Sequence, residues 1–430
     1  MPTRRAFLQA SAVTAASLAA SSAAVAADGQ KIVLGIIGPG GMGSNHLKNL
    51  CARKDVEIAY VCDVDSSKLA AAAKTVEAAM KVPQAVKDMR KIFENKNVDA
   101  VFIATPDHWH TPATLLALDA GKHVYVEKPC SHNVREGRLL IEAQKRTGKV
   151  LQIGTQSRST PTVKEAVDRV HAGEIGEVLA VKAWNSQRRG NIGKAVATKP
   201  PESLDFDTWC GPAPLVDYRP NLLPGRWRWF KAFGAGDIGN DGVHDIDVAL
   251  WGLNPGTQPS RVACIAGKYF FDDDQEWPDT QYAVFEYDIA GKKKQFIFEQ
   301  RIWSPYVQED YENGCVWYGT KGYLVCGHTV GWKLYAEKNK LIAEKKGYVD
   351  LPAHHTNFFD CIRGTAKHPN ADVMAGHLSA SICHLSNISH VLGRSLEFDP
   401  KSETFPKDKE ATAMVKRAYR EHWGTPTDVA

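Results

Sequence analysis

Short apolar runs alternate with helical spacings of apolar residues through the first part of the chain, from about residue 32 to residue 153. The runs are four to seven residues long, as expected of buried parallel strands, and lie at 32–37, 56–62, 98–104, 123–126 and 150–153. The segments between them, including an alanine-rich stretch after residue 63, have helical spacing. This alternation predicts a doubly wound α/β domain, in which ligands bind at the carboxyl ends of the strands.

The pattern changes after Gly154. Alternation of apolar and polar residues predicts a large, mostly antiparallel open sheet with strands at 178–184, 280–288, 294–303, 313–318 and 321–326. Helical spacing predicts helices at 163–170, 355–363, 373–392 and 407–422. We therefore expect two α/β domains, a doubly wound domain at 28–154 and a second domain at 155–430.

A glycine-rich turn, Gly38-Pro39-Gly40-Gly41-Met42-Gly43, connects the first predicted strand to the first predicted helix. In that context the glycines let the backbone approach a pyrophosphate at a helix N-terminus, where free N–H groups favour anions. The second strand ends at Asp63, whose carboxylate is placed to bind an adenosine ribose and would repel the additional phosphate of NADP. We therefore predict a Rossmann domain that prefers NAD, with NADP as the alternative because Lys68 lies nearby in sequence. An ordinary tight turn is the alternative for the glycines.

Two loops follow strands at the ligand-binding edge of this domain, Thr105-Pro106-Asp107 and Glu127-Lys128-Pro129. Oxidation of a secondary alcohol needs a group that polarises the oxygen and takes part in proton transfer beside the nicotinamide. Lys128 is our candidate for this role, because burial and a cationic nicotinamide ring both favour its neutral form. We also place Thr105, Pro106, Glu127 and Lys128 at the cofactor. The alternative is a structural pair of Lys128 with Glu127.

His244, in the segment Gly239–Asp247, is the second candidate for proton transfer. An imidazole near its ordinary pKa of about 6.5 exchanges protons at neutral pH. Helical spacing predicts Asn240 and Asp247 on the face of His244, at i−4 and i+3. Asn240 would then be a third catalytic residue, which bonds a substrate hydroxyl. Asp241 or Asp247 would supply a negative charge, and Asp241 is also a candidate for binding the substrate. A core histidine with satisfied hydrogen bonds is the alternative.

The first residues indicate export. Thr3-Arg4-Arg5-Ala6-Phe7-Leu8 is a twin-arginine pattern, and the Ala/Ser-rich segment after it ends near Ala24-Val25-Ala26, a small-residue cleavage site. Residues 9–27 are too rich in Ala, Ser and Thr for a strong membrane span, which favours a cleaved signal peptide at 1–27 over a retained anchor. We therefore expect a periplasmic protein that is exported, already folded, by the twin-arginine export machinery.

Composition narrows the possible partners and bonds. The formal net charge is only +4 and the basic residues are dispersed, so we expect no nucleic-acid partner. Nine cysteines are scattered without a CxxC pair, and folding before export takes place in a reducing compartment, which favours buried thiols. A zinc site made from His108, His110, His354 and His355 would use spacings that match no known ligand pattern, so we expect no metal.

Several motifs in this order resemble those of the Gfo/Idh/MocA oxidoreductase family over nearly the whole mature chain. They are the glycine-rich turn, Ala104–His110, Glu127–Pro129, Gly236–Asp247 and Gly319–Gly322. The resemblance implies NAD(P)-dependent oxidation or reduction of sugars and cyclitols, and a C-terminal α/β domain whose open sheet supports a homo-oligomer. It also implies that His108 and His110 lie beside the nicotinamide and that an exported member keeps its nucleotide tightly bound. The family has Asp four residues before its histidine, where this chain has Asn240.

Further residues are candidates for binding the substrate. Gln156 and Arg158 follow the strand that leaves the first domain, and Asn185 follows the next strand, so all three are placed to line the cleft. Ordinary solvent-exposed positions without a role in binding fit these residues equally well. Trp227 and Arg228 suit stacking on a pyranose ring and bonding its hydroxyls, with core packing as the alternative for a tryptophan.

The sequence therefore favours an NAD-dependent oxidoreductase that acts on a secondary alcohol of a sugar, glycoside or cyclitol. One other possibility is a redox-assisted glycosidase. Oxidation at C3 would acidify the C2 hydrogen and permit elimination of the anomeric group, and the same cofactor would reverse the oxidation. A non-catalytic protein that retains nucleotide and binds a sugar is the third possibility.

Overall fold

The first sheet consists of parallel strands in the computed structural model, which describes residues 31–304 and 306–420. Its strands are β1 (Ile32–Ile37), β2 (Val56–Cys62), β3 (Gln84–Val86), β4 (Ala100–Ile103), β5 (His123–Val126) and β6 (Leu151–Ile153). They lie in the order β3-β2-β1-β4-β5-β6, and every neighbouring pair is parallel. The order reverses between β1 and β4, where a doubly wound sheet binds its ligand. The predicted doubly wound fold is confirmed, whereas the predicted signal peptide at 1–27 lies outside the described residues.

Helices connect these strands: α1 (Gly41–Cys51), α2 (Ser66–Glu77), α3 (Arg90–Glu94), α4 (Asp107–Asp119) and α5 (Val134–Thr147). Local sequence sets the ends of α5. The Asn133 side chain accepts a hydrogen bond from the backbone N–H of Glu136 at 2.9 Å, and Gly148 ends the helix with a φ of 64°. The Asn133 cap, five residues after Lys128, therefore sets the start of α5.

The second sheet is mixed and mostly antiparallel, as predicted. Its strands are β7 (Val178–Asn185), β8 (Arg261–Gly267), β9 (Thr280–Ile289), β10 (Lys292–Arg301), β11 (Asn313–Gly319), β12 (Gly322–Gly327), β13 (Gly331–Ala336), β14 (Lys340–Lys346) and β15 (Leu396–Glu397). The order is β14-β13-β12-β11-β7-β10-β9-β8-β15. Among the described strands of this second sheet, β7 and β10 form a parallel pair and the other neighbouring pairs are antiparallel.

The remaining helices are α6 (Pro161–His171), α7 (Phe206–Cys210), α8 (Val243–Leu253), α9 (Leu351–Arg363), α10 (Val373–Leu392) and α11 (Lys409–Ala413). The helix predicted at 373–392 is confirmed, but the helix predicted at 407–422 is wrong for the residues described, because α11 ends at Ala413. The chain leaves the helix to contact α5. The Val415 carbonyl accepts from the Arg135 N–H at 2.9 Å, and Arg417 and Tyr419 both bond the Glu136 carboxylate.

One face of the second sheet packs on helices α6, α8 and α10, with Phe285, Phe296 and Phe298 fully buried between the layers. The other face exposes apolar residues, including Ile265 (77% exposed) and Tyr282 (45% exposed). Trp184, Val316 and Val325 on the same face are buried, so the part of this face that is open to solvent in the single chain lies around Ile265 and Tyr282.

The C-terminal half of the chain also completes the core of the first domain. Phe358 of α9 packs edge-on against Phe102 of β4 and Tyr125 of β5, at ring separations of 5.6 and 6.0 Å.

No helix among the described residues is both long and apolar enough to cross a membrane. All nine cysteines are free thiols and seven are buried, which confirms that prediction.

Candidate active site

A cavity of about 300 Å³ lies at the carboxyl ends of β1, β2, β4 and β5. Most of the residues predicted to bind the cofactor line it: Gly38, Gly40, Gly41, Met42, Asp63, Thr105, Pro106, His110, Glu127 and Lys128. Trp227 and Arg228, predicted to bind the substrate, also line it. The fold thus brings one set of strand ends and the Trp227–Arg228 turn to the same opening.

The glycine-rich turn has the shape that a pyrophosphate needs. Gly38 has a φ of +76°, and a Cβ there would collide with the Ala104 carbonyl, so only glycine fits. A Cβ on Gly43 would collide with the Gly38 carbonyl oxygen. The absence of a side chain at Gly43 therefore lets α1 pack close to the end of β1. Helix α1 begins at Gly41 and has no side-chain cap, which leaves its first N–H groups available to an anion at the cavity. These residues fit a dinucleotide.

Asp63 follows β2 at the same edge of the sheet and is partly buried. Its Oδ1 accepts from the Asp65 N–H at 2.9 Å, and burial raises the pKa of its carboxyl. Lys68 of α2 also lines the cavity. The Asp63 carboxylate and the Lys68 ammonium therefore both belong to residues that line the nucleotide cavity.

His110 joins the two predicted loops, while His108 points elsewhere. One ring nitrogen of His110 lies 2.6 Å from the Pro129 carbonyl and the other 2.8 Å from the Thr105 carbonyl. His108 is buried outside the cavity wall, with Nε2 2.9 Å from the Trp209 carbonyl. Its predicted place at the cofactor does not hold, because residues two apart on helix α4 point in nearly opposite directions.

Lys128 reaches from the cavity toward the second domain. Its Nζ donates to the Asn240 carbonyl at 2.6 Å, and burial lowers the pKa of its ammonium against the opposing charge of Glu127. Burial alone would raise the pKa of Glu127, but the hydrogen bond and charge of His46 and the charge of Lys128 hold it at about 2. An anionic Glu127 thus lies beside a lysine whose proton is held less tightly than usual.

Gln156 supports Glu127 rather than lining the cavity. Its Nε2 donates to Glu127 Oε1 at 2.9 Å and to the Tyr125 hydroxyl at 3.1 Å, and its side chain is buried. His46, which sequence reasoning missed, lies 2.9 Å from the same carboxylate oxygen and 2.8 Å from His355. The predicted substrate role of Gln156 is therefore replaced by a positioning role, since its amide is already committed to the protein.

His244 is partly exposed and stacks on a second histidine that sequence reasoning also missed. The His244 and His328 rings lie 5.3 Å apart at 26°, and His328 Nδ1 is 2.6 Å from the Asp245 carboxylate. Burial, then the charges of Lys128 and His328, lower the pKa of His244 to about 3. The expected pKa near 6.5 is therefore corrected: at neutral pH the His244 ring is uncharged and able to accept a proton. Asp245 raises the pKa of His328, against the opposing effect of burial.

Asn240 lies in a π-helical turn, Ile238–Gly242, and is held by its neighbours. Its Oδ1 accepts from Arg228 Nε at 2.6 Å, and its Nδ2 donates to Asp237 at 2.8 Å. Asn185 is fully buried and donates to the same Asp237 at 2.8 Å, so it supports this group instead of contacting a substrate. Both polar atoms of the Asn240 amide already bond to protein groups, so the amide is not free to bond a substrate hydroxyl as predicted.

Asp247 and Asp241, the two acidic residues considered as partners of His244, have different surroundings. Asp247 is fully buried and binds Arg158 at 2.7 Å and Ser379 at 2.6 Å, so neither Asp247 nor Arg158 has its predicted role at the site. Asp241 lies 3.6 Å from Arg189 and accepts from Asn313 at 3.1 Å. Asp241 is therefore the carboxylate whose charge acts on His244, one of the two possibilities that the sequence left open.

Other groups that shape the site were not identified from the sequence. Arg189, Asp237, Asp245 and His328 come from three separate parts of the chain. Asp237 and Asp245 lie within the Gly236–Asp247 motif but were given no role, and Arg189 and His328 lie outside every motif named above. Among residues 31–304 and 306–420, no cluster of three or more His, Cys, Asp or Glu side chains is arranged to hold a metal ion. His354 instead bonds Ser159 at 2.6 Å.

Two domain models of one protein family match this sequence. The first, described as the NAD-binding Rossmann fold of an oxidoreductase family, matches residues 32–155. The second, the C-terminal alpha/beta domain of the same family, matches residues 176–288 and 327–425. Both halves of the fold are thus recognised in the order in which they occur here.

Individual relatives match the chain over shorter segments. The scyllo-inositol 2-dehydrogenase (NAD(+)) of Bacillus subtilis is 31% identical over 149 residues, which are 35% of this chain and 43% of that protein. A glycosyl hydrolase family 109 protein of Stenotrophomonas maltophilia is 31% identical over 187 residues, or 42% of this chain and 41% of that protein. The chain therefore spans less than half the length of these curated relatives.

Solved structures share the fold over most of the chain. A levoglucosan dehydrogenase in complex with NADH superposes with a TM-score of 0.66 at 18% identity, over 86% of this chain and 99% of that one. An aldose-aldose oxidoreductase from Caulobacter crescentus gives 0.65 at 19% identity, over 86% and 100%. With both domain models matched in order, the chain belongs to the Gfo/Idh/MocA oxidoreductase family and contains its NAD-binding Rossmann domain.

Proposed function

We propose that this protein is an NAD-dependent oxidoreductase that acts on a secondary alcohol of a sugar, glycoside or cyclitol. The observation that carries the proposal is the position of Lys128, which lines the nucleotide cavity while its Nζ donates to the Asn240 carbonyl. A nicotinamide nucleotide held there supplies or accepts a hydride. Relatives named as inositol dehydrogenases and a neighbour named as a levoglucosan dehydrogenase support polyol-like substrates.

The residues of this chain can hold and move the proton that such chemistry requires. The lowered pKa of Lys128 makes its amine a donor that polarises the reacting oxygen and readily exchanges its proton. His244 is uncharged at neutral pH and so has a free ring nitrogen. When Lys128 gives up its proton, one of the charges that lower the pKa of His244 is removed, which favours transfer of the alcohol proton to the ring. Arg228, stacked on Trp227 at 4.3 Å, presents a guanidinium and an aromatic surface to a hydroxylated ring.

Cofactor preference follows from the two charged groups near the ribose position. The Asp63 carboxylate favours the hydroxyl groups of NAD over the extra phosphate of NADP, and Lys68 opposes that preference. We propose NAD, tightly retained, as the cofactor. Mass spectrometry of the nucleotide released by denaturing the purified protein tests this directly, and release of NADP alone would contradict it.

The activity is tested by hydrogen exchange. The NAD-loaded protein is incubated with a panel of glycosides and inositols deuterated at their carbinol carbons, and stereospecific transfer of deuterium to C4 of the bound nicotinamide is followed by mass spectrometry of the nucleotide. With a substrate in hand, Lys128→Ala and His244→Ala should each slow hydride transfer about 10²–10⁴-fold while nucleotide affinity changes little. The double variant should lose far less than the product of the two losses, because the groups act as a unit. Lys74→Ala, an exposed lysine of α2, is the matched control.

Near-wild-type turnover in Lys128→Ala would reject the catalytic assignment. Binding of sugar and nucleotide without any exchange in the wild-type protein would favour the non-catalytic alternative. These two results differ, because the first keeps the activity and removes only the role of the lysine.

A redox-assisted glycosidase is the second candidate, favoured by the match to proteins named as glycosyl hydrolase family 109. Its chemistry begins with the same oxidation and uses the same lysine and histidine. Release of an aglycone from an aryl glycoside with only catalytic amounts of nucleotide would identify it. A dehydrogenase would instead stop after one turnover unless nucleotide is supplied.

We also propose export and self-association. The Arg4-Arg5 pattern supports periplasmic delivery of the folded protein by the twin-arginine export machinery, and the uncovered apolar face at Ile265 and Tyr282 supports a homo-oligomer. Light scattering of the purified protein measures the second point. A strictly monomeric protein at micromolar concentration would contradict it.

A further inference from the structure

A second cavity, of about 240 Å³, lies apart from the nucleotide cavity and shares none of its lining residues. Its wall is formed at the N-terminus of α5 by His132 and Asn133, in the 231–235 segment by Lys231, on α10 by His384 and Asn387, and after α11 by Arg417. The same two connecting segments carry Lys128, four positions before His132, and Asn240, five positions after Ala235. Its volume is large enough for a small organic molecule.

Four residues of this wall each contain a buried polar atom that has no hydrogen-bond partner within the described part of the chain. These atoms are His132 Nδ1, Asn133 Nδ2, Asn387 Oδ1 and Arg417 Nη1. Asn133 is only 6% exposed and Asn387 only 5%. Their other amide atoms are used, by the cap of α5 and by the Ala235 carbonyl at 2.9 Å. Because buried polar groups are normally hydrogen-bonded and cost free energy when they are not, four unpartnered ones around one cavity indicate a polar occupant.

The charge of the wall indicates that the occupant is an anion. Lys231, Lys416 and Arg417 line the cavity, and no Asp or Glu is among the described residues that line it. Burial lowers the pKa of His132 and His384, the latter to about 3, so neither ring adds or removes charge at neutral pH. Glu136 pairs with Arg417 at 3.0 Å and compensates that guanidinium. The exposed Lys231 and Lys416 therefore give the cavity a net positive potential.

Apolar side chains form the rest of the wall. Trp277, Ile388, Val391 and Met414 line the cavity, and the Lys231 ammonium lies 5.3 Å from the Trp277 ring. A bare inorganic ion would leave this surface without a contact. A ligand with a short carbon skeleton would cover it.

We propose that this cavity binds a small hydroxylated organic anion, in which a carboxylate or phosphate accepts from Asn133 Nδ2 and Arg417 Nη1 and a hydroxyl donates to Asn387 Oδ1. The two donors match anionic oxygens, and the single unpartnered amide oxygen matches a hydroxyl hydrogen. The site is independent of the proposed oxidoreductase activity, since the two cavities have no wall residue in common.

Calorimetric titration of the NAD-loaded protein tests the site with three probes of equal carbon number. D-glycerate carries a carboxylate, sn-glycerol 3-phosphate carries a phosphate, and glycerol carries no charge. One or both anions should bind with one site per chain, and glycerol should bind at least about tenfold more weakly. The preferred anion then identifies which of the two chemical sources fits the cavity.

Two sets of variants locate the binding. Asn133→Asp keeps the oxygen that caps α5 but replaces the amide donor with a negative charge, so anion affinity should fall at least about tenfold. Lys231→Gln combined with Lys416→Gln removes two exposed charges and should weaken binding by a similar factor. Lys340→Gln combined with Lys346→Gln changes two exposed lysines of the β13–β14 hairpin and should leave binding unchanged.

Melting temperatures show whether each variant is folded. If Asn133→Asp does not fold, the exposed lysine pair decides the question alone. Binding of glycerol as tight as that of the anions would overturn the charge argument. Failure of both anions to bind the wild-type protein, or binding that neither set of variants weakens, would overturn the site and leave the cavity to ordered water.

Discussion

Replacing His328 with glutamine should raise the pKa of His244. The two rings are stacked 5.3 Å apart, and the cationic form of His328 is among the charges that hold the pKa of His244 at about 3. At this separation and an effective dielectric constant of about 20, two unit charges interact by roughly 3 kcal/mol, which corresponds to about two pKa units. The partial exposure of His244 reduces this figure, so we expect a rise of about one to two units.

Asp245 does not compensate for the lost charge. Burial raises the pKa of this carboxyl to about 6 even with His328 beside it. Without the imidazole, Asp245 takes up a proton near neutral pH and becomes uncharged at lower pH. The pKa of His244 should therefore lie near 4 to 5 in the variant, with burial and Lys128 as the remaining causes of its depression.

Two measurements report this shift. Titration of ¹³C-labelled histidine by NMR follows His244 directly, and the acid limb of kcat/KM follows it in the reaction. His244 must be uncharged to accept a proton, so activity falls as pH drops through its pKa, and His328→Gln should move that fall to higher pH. His368→Gln, at an exposed position, is the matched control. An unchanged His244 titration in His328→Gln would refute the electrostatic role of the stacked ring.

Three further changes test other parts of the structure. Asp63→Ser with Val64→Arg should weaken NAD binding and improve NADP binding, and titrations with unchanged preference would remove Asp63 from the ribose site. Asn240→Asp keeps an acceptor for Arg228 but places a carboxylate against Asp237, whose pKa burial already raises. Like charges raise the folded-state pKa of that pair, so the variant should lose melting temperature as pH rises from 5 to 8, and an equal loss at both values would contradict the repulsion. Arg4→Lys with Arg5→Lys should retain folded, nucleotide-containing protein in the cytoplasm, and normal periplasmic accumulation would reject the export proposal.

Local sequence was sufficient where one segment determines both the backbone and the chemistry. The Gly38–Gly43 turn and Lys128 lie where predicted, because each follows directly from a strand end in a doubly wound sheet. The helix at 373–392 has local signals at both ends, because the Asp372 side chain caps its first turn and Gly393 ends it. Elements of this kind need no information from the rest of the chain.

Distant partners explain the errors. Asn185 and Arg158 follow strands as expected, but Asp237 and Asp247, which lie 52 and 89 positions away, take their hydrogen bonds. His328 could not be assigned to the site from its surroundings in sequence, since Asp245 lies 83 positions before it. The helix predicted at 407–422 failed likewise, because contacts with α5 draw the chain out of helical form.

The arrangement of the second sheet also constrains how the protein is made. Strand β7 pairs with β10 and β11, which begin at Lys292 and Asn313. The hydrogen bonds of β7 in the sheet therefore cannot form until more than 100 further residues have been synthesised. The first domain waits still longer, because Phe358 and Phe359 fill the core around Phe102. Such long sequence separations slow folding and leave apolar surface exposed on the nascent chain. We therefore expect both domains to complete folding only after nearly the whole chain has left the ribosome, and we expect truncations that remove Phe358 and Phe359 to destabilise the nucleotide-binding half as well.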